Sequence, residues 1–243
     1  MSVDSTRRMQ LDETWPGAAR KRVLTLDDTG TFLRAVSRVE EAPAVSSLAK
    51  GAMDVLLSAF LLALFAPVLG LAMLLIKLTS RGPVIFPQPR IGYQGRQFSM
   101  YKLRTMVNGA ERLEDELAEG SEDRTFLKIE NDPRVTPLGR WLRKTSIDEL
   151  PQLVNVLRGE MSLVGPRPLL LCDFRKFPRY EQLRRFSVKP GITGLWQVSG
   201  RSTLPDSERL RLDREYVERW SLWLDLKILA RTLPVVLSTR GAT

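Results

Sequence analysis

The stretch Ser146 to Leu153, SIDELPQL, sets two carboxylates side by side, Asp148 and Glu149, between the basic pair Arg143 and Lys144 and a proline, Pro151. More cations flank it: Arg134 and Arg140 come before, and GEMSLVGPRP brings Arg167 between two prolines that stiffen its loop. A carboxylate at a helix start among arginines stays ionised and can act as a nucleophile, while the same amides and guanidinium groups hold a phosphate. A second carboxylate beside it suits a divalent cation. Oxygen ligands and a phosphorylated substrate favour Mg²⁺, held by Asp148 and Glu149. The chemistry implied is phosphoryl transfer through a carboxylate nucleophile.

The spacing also fits a plainer role. Ser146 with Glu149 three residues on matches a capping box, in which Asp148 would add only ~0.3–1 kcal/mol through the helix dipole. Pro151 argues against a plain cap, because its missing N–H falls near the first amide that should pair inside the helix. That helix is expected over Leu150 to Gly159, with Leu150, Leu153, Val154 and Leu157 on its buried face.

Composition limits the remaining options. The 243 residues include no His and one Cys, which removes the usual general base, the commonest zinc ligand and any internal disulfide framework. Cys172, with no imidazole to activate it, reads as a small buried residue. The lack of disulfides fits a reducing compartment. A formal charge of +9 calls for an acidic partner, either nucleic acid, anionic lipid or a phosphorylated substrate. A membrane segment, and tryptophans gathered near the C-terminus rather than interleaved with basic residues, count against nucleic acid.

Val55 to Ile76 is an uncharged run long enough for a bilayer core, ~30 Å at ~1.5 Å per residue. The polar residues before it and Lys77 after it do not suit a cleavable signal peptide. Pro67 lies past its middle, so a kink or break is expected there. Basic flanks on both sides (Arg34, Arg38 and Lys50; Lys77 and Arg81) give no preferred direction, which suits a hairpin entering and leaving by one face, with a straight spanning helix as the alternative. Near the C-terminus, Leu222, Leu226, Leu229, Leu233 and Val236 form one apolar stripe on a helix from Trp220 to Leu237. Asp225, Lys227 and Arg231 oppose a second span. The stripe fits either an interfacial helix on the headgroups or ordinary core packing.

Between these helices, Val84–Phe86 and Gln97–Arg104, joined through Gly92 to Gly95, read as a β-hairpin, and Gly109 to Gly120 as a charged solvated helix. Residues 1–48 are polar and aperiodic, which predicts a mostly disordered N-terminal segment with a short helix near Phe32 to Glu41.

Three stretches, GPVIFPQPRIGYQGRQFSMYKLRTM, DPRVTPLGRWLRKTSIDELPQLVNVLRGEMSLVGPRP and KPGITGLWQVSGR, together resemble the bacterial sugar transferases, the monotopic polyprenyl-phosphate phosphoglycosyl transferases, from about Lys50 to the C-terminus. The tail is most similar to the short members that initiate exopolysaccharide synthesis. The resemblance implies a domain over 49–243, α+β and mainly helical. Within it, a re-entrant helix-break-helix with its break at Pro67 would precede a small catalytic part built of a β-hairpin and amphipathic interfacial helices. It implies transfer of a sugar 1-phosphate, galactose or glucose, from a UDP-sugar to undecaprenyl phosphate with loss of UMP. Asp148 would be the nucleophile and Glu149 its partner at Mg²⁺. Arg143, Arg167, Lys102 and Arg201 would bind phosphate or nucleotide sugar. The setting implied is the cytoplasmic face of a bacterial inner membrane. Two departures stand out: Ala66-Pro67 replaces the usual Ser-Pro, and Lys50-Gly51 the usual basic pair, with Asp54 retained. The rival classes are a non-catalytic basic membrane module and a glycosyltransferase that releases UDP.

Overall fold

The computed structural model describes residues 48–110, 132–170, 183–200 and 203–237. The N-terminal segment with its expected short helix, the charged stretch after Ala110, Cys172 and Arg201 lie outside them. Helix α1 (Leu48–Thr79) takes in the whole apolar run over 32 residues, about 48 Å. The expected break at Pro67 does not occur, and the helix continues across the proline. The ring removes a single N–H, which would have met the Ala63 carbonyl, and the turns on either side hold the helix together.

One stripe of α1, including Lys50, Asp54, Ser58, Leu69, Ala72 and Ile76, is buried. On the other side Leu56, Phe60, Leu64, Leu71, Leu74 and Leu78 are each more than half exposed. No other helix among the described residues is long and apolar enough to cross a membrane. Both ends of α1 touch the same domain. Lys50 Nζ lies 2.7 Å from Asp225 Oδ2 and donates to the Val164 carbonyl at 3.2 Å. At the far end Leu69, Ala72 and Ile76 pack with Leu103 and Leu142, and Arg104 donates to the Ser80 carbonyl at 2.9 Å.

The hairpin forms as expected: β1 (Ile85–Ile91) and β2 (Gln97–Leu103) pair antiparallel around the Gly92–Gly95 turn. Helix α2 (Pro137–Lys144) starts on Thr136, whose Oγ1 accepts the Gly139 amide at 2.9 Å, with Pro137 in the first turn. The capping box at Ser146 is not formed. Ser146 has φ 58° and ψ 16° and makes no side-chain cap, and its amide donates back to the Arg143 carbonyl at 3.1 Å. It therefore terminates α2 in a left-handed conformation instead of opening the next helix. Asp148 and Glu149 sit in a single 3₁₀ turn, Ile147–Glu149, and α3 (Gln152–Leu157) begins only after Pro151, later than expected.

Strands β3 (Ser162–Val164) and β4 (Gly191–Thr193) form a two-stranded parallel sheet. The chain after β3 meets the chain entering β4 backbone to backbone. A Cβ on Gly191 would fall 2.1 Å from the Gly165 nitrogen, and one on Gly165 2.5 Å from the Lys189 carbonyl oxygen. Three helices complete the fold: α4 (Leu195–Ser199), α5 (Asp206–Glu218) and α6 (Leu222–Leu237). Met100, Leu153, Val156, Leu163, Tyr216 and Ile228 form the centre of the core.

The apolar stripe anticipated on α6 divides between core and surface. Leu224, Ile228 and Leu229 pack inward, while Leu226 and Leu233 are exposed beside Trp223. Asp225 is on the inner side with no exposed surface. Besides Lys50, it takes the Trp220 Nε1–H at 3.1 Å and lies 2.8 Å from the Tyr216 hydroxyl, itself 2.9 Å from the Val164 carbonyl. This cluster ties α1, β3, α5 and α6 together.

Removing one partner of a buried ion pair leaves the other charged and unmatched. Asp225→Ala should therefore cost about 3–5 kcal/mol, and the double variant Lys50→Met/Asp225→Leu should cost clearly less than Asp225→Ala alone. Denaturant unfolding in detergent micelles measures both. A loss below about 1 kcal/mol for Asp225→Ala would show that α1 is held by apolar packing and not by this cluster.

Candidate active site

Asp148, Glu149, Lys102, Arg143 and Arg167 converge at the 3₁₀ turn. Lys102 points in from β2 and places Nζ 2.9 Å from Glu149 Oε1. Arg167, from the loop after β3, places Nη2 3.0 Å from the same oxygen. Arg143, from the last turn of α2, donates through Nε to Thr105 Oγ1 at 2.9 Å, and its charge acts on Asp148. Thr105 is locked in turn: its carbonyl accepts the Thr136 amide at 3.0 Å, and Gly139 approaches so closely that a Cβ there would fall 2.0 Å from that oxygen. Pro67 lies on α1, outside this cluster.

The Arg167 loop is pinned at four successive carbonyls. Pro166 accepts the Gly191 amide at 2.9 Å, Arg167 accepts Arg185 Nη2 at 2.6 Å, Pro168 accepts Arg90 Nη1 at 3.1 Å and Leu169 accepts the Ile91 amide at 3.0 Å. The two prolines remove what freedom remains. A guanidinium held this way is preorganised for bidentate contact with a carboxylate or a phosphate.

The two acids are electrostatically unequal. Burial alone would raise Glu149, but Lys102 and Arg167, bonded to it, hold its carboxyl well below the usual carboxylate range. Burial, and then the charge of Glu149, push Asp148 up to about 6 against the pull of Lys102, Arg143 and Arg167. Burial also lowers Lys102, opposed by Glu149, and Glu149 raises Arg167. Asp148 accepts no hydrogen bond from any described residue. At pH 7 roughly nine in ten Asp148 carboxyls are still ionised. The turn thus holds one acid whose charge is fully answered and one buried, ionised and unbonded.

The described residues contain no group of three or more His, Cys, Asp or Glu that could enclose a metal. The oxygens on hand are the Asp148 carboxylate and the second oxygen of Glu149. That set suits Mg²⁺, which commonly takes one or two carboxylates and fills its remaining positions with water and substrate phosphates.

Some contributors gave little sign in the sequence. Thr105 orients Arg143, and Arg90 and Arg185 hold the Arg167 loop. For Arg90 a signal existed, since QPRIG presents an arginine after a proline much as GPRP does. Arg185 and its partner Asp213 carry none, because neither lies in a stretch whose spacing marks a site.

Residues 45–239 match the family described as Bacterial sugar transferase. The chain is 40% identical over 205 residues to the exopolysaccharide production protein ExoY of Rhizobium meliloti (strain 1021), over 82% of this chain and 89% of ExoY. It is 45% identical over 202 residues to the UDP-glucose:undecaprenyl-phosphate glucose-1-phosphate transferase of Caulobacter vibrioides, over 80% of this chain and 72% of that protein. To the galactosyl transferase CpsE of Streptococcus agalactiae serotype III it is 50% identical over 163 residues, 66% of this chain and 36% of CpsE. The chain thus matches little more than a third of the length of CpsE.

Ionising Asp148 works against the fold. Its folded pKa, about 6, lies above the ordinary 3.8, so the stability it contributes is complete below pH 4 and is lost as the pH rises through 6. Asp148→Asn, which mimics the neutral acid, should be more stable than the native chain by about 2–3 kcal/mol at pH 7.5 and equal to it near pH 4. Unfolding at both pH values checks this. A variant less stable at pH 7.5 would contradict the charge balance described for the turn.

Proposed function

We propose that the chain, which belongs to the bacterial sugar transferase family, moves a hexose 1-phosphate from a UDP-hexose to undecaprenyl phosphate and releases UMP. The unequal acid pair is the observation that carries this reading: Glu149 is paired with Lys102 and Arg167 through Oε1, and Asp148 is ionised and accepts no hydrogen bond from the described residues. The C. vibrioides relative, named for UDP-glucose and undecaprenyl phosphate, supports the donor and acceptor. ExoY supports a role in starting exopolysaccharide synthesis, and CpsE keeps galactose beside glucose as the sugar carried.

The residues divide the work. An Asp148 carboxylate oxygen attacks the phosphorus that bears the sugar. The bond from that phosphorus to the oxygen bridging to the α-phosphate breaks, and UMP departs with the electron pair. Asp148 then holds the sugar phosphate as an acyl phosphate. An oxygen of undecaprenyl phosphate attacks the same phosphorus and returns Asp148 as carboxylate. Arg143 and Arg167, already oriented by Thr105 and by the pinned loop, offset charge on the phosphoryl oxygens, with Lys102 and Arg201 as further phosphate or nucleotide-sugar contacts. Mg²⁺, held by Asp148 and the second oxygen of Glu149, would neutralise pyrophosphate charge.

The same reading places the domain on the cytoplasmic face of the inner membrane, with α1 entering a single leaflet and bending at Pro67, where the missing N–H lets a continuous helix kink. Contacts from one domain to both Lys50 and Ile76 support it, because a spanning helix would put these ends on opposite sides of ~30 Å of hydrocarbon. The apolar outer face of α1 and the exposed Trp223, Leu226 and Leu233 of α6 supply a lipid-facing surface.

The purified protein with Mg²⁺, undecaprenyl phosphate and UDP-glucose or UDP-galactose should release UMP, and Asp148→Asn should lower that rate at least about 10³-fold. Release of UDP would mean transfer of the sugar alone and would overturn the reading. Because ionised Asp148 attacks, and its carboxyl is pushed up to about 6, kcat/KM for the UDP-hexose should fall about fivefold between pH 6 and pH 5. Cysteines placed at Leu48 and Leu78 should both react with a membrane-impermeant reagent from the same side of sealed vesicles. Labelling from opposite sides would establish a spanning helix.

A further inference from the structure

Arg185 lies in the short 3₁₀ helix Leu183–Ser187, away from the acidic pair, and Asp213 lies midway along α5. Both are buried, at 7% and 3% exposure. Arg185 Nη2 lies 2.9 Å from Asp213 Oδ2 and donates to the Arg167 carbonyl at 2.6 Å. One guanidinium thus joins a buried carboxylate to the backbone of the residue whose side chain grips Glu149.

We propose that Arg185 and Asp213 are positioning residues for Arg167: they fix the loop from which its guanidinium reaches Glu149 and the phosphates of the nucleotide sugar. Stability alone is a poor explanation for the pair. Surface loops usually satisfy their carbonyls with water, and a buried ion pair often contributes no more than apolar residues of the same volume. This pair occupies a desolvated position and holds the carbonyl of Arg167, the cation by which the loop reaches the acidic pair. Asp213 supplies the charge that keeps Arg185 inside, and its carboxyl is pushed up by burial to about 6, low enough to stay ionised at pH 7.

The inference rests on the proposed reaction for its kinetic consequence but not for its structural one. Pro166 and Pro168 have no N–H, so the loop's opening is read at the amides of Gly191 and Ile91, which donate to the Pro166 and Leu169 carbonyls. In the detergent-purified protein without substrate, Asp213→Asn should speed exchange at Gly191 and Ile91 at least tenfold. In UMP release from UDP-hexose, Asp213→Asn should lower kcat/KM about 10- to 100-fold, the size expected when a contact distant from the chemistry shifts a reacting group. In an Arg167→Ala background the same substitution should cost less than twofold, although its effect on melting temperature stays the same in both backgrounds. A purely structural role would give equal kinetic losses in both backgrounds, and that result overturns the proposal, as does unchanged exchange. If Asp213→Asn folds too poorly to assay, Arg185→Lys keeps the charge, loses the fork and is held to the same outcomes. Failure of the native protein to turn over any UDP-hexose would remove the proposed reaction, while the exchange measurement would still decide the positioning.

Discussion

The salt link between Lys50 and Asp225 is the contact on which the rest of the arrangement turns. It joins the first turn of α1 to the inner face of α6, and through the Val164 carbonyl and Tyr216 it reaches β3 and α5. Charges this deep are tolerated only when each lone pair and proton finds a partner, and here Trp220 and Tyr216 complete the shell around Asp225. With that end of α1 fixed, its other end delivers the chain into β1 and β2, and so brings Lys102 to the turn. With Val164 fixed, the GPRP loop leaves β3 in the direction that brings Arg167 to the same turn.

At the turn the organising idea is unequal burial of like charges. Two adjacent carboxylates cannot both be ionised in a partly dry site unless cations compensate them, and the protein gives nearly all of that compensation to one. Glu149 becomes a fixed anion that anchors Lys102 and Arg167. Asp148 is left with charge but no hydrogen bond, the condition in which an oxygen lone pair is available to form a bond. This environment is expensive for the fold. Reactive groups commonly carry such a cost, which the surrounding scaffold has to offset.

Much of this was legible in the sequence. The acidic pair, Arg143 and Arg167 could be picked out because composition left few other groups to do chemistry, and the hairpin followed from alternation and glycine turns. What was not legible is mostly backbone conformation and distant pairing. Ser146 and Glu149 have the spacing of a cap, yet no local rule says that Ser146 turns left-handed to end α2. Pro67 signals a break, but a single lost hydrogen bond is outweighed when the rest of a long apolar helix stays paired and packs against its own domain. On α6, aspartate in an apolar run looks like a solvated residue until its lysine partner arrives from the far end of the chain. Asp213 and Arg185 are similar, since a buried pair without a motif has no periodicity to give it away.

Lys50 and Asp225 are separated by 175 positions in the chain. At translation rates of 5–20 residues per second, roughly 10–35 s pass between the emergence of the one and of the other. Throughout that interval α1 has left the ribosome while the helix that neutralises its buried lysine has not been made. The packed side of α1 carries Lys50 and Asp54 next to Leu69 and Ile76, so it must wait, partly polar, at the edge of the lipid until the C-terminal helix closes over it. Biosynthesis therefore imposes an order of assembly: the apolar helix emerges first and the domain closes on it last. A chain cut short before α6 would leave a helix able to reach the bilayer with no domain able to close on it.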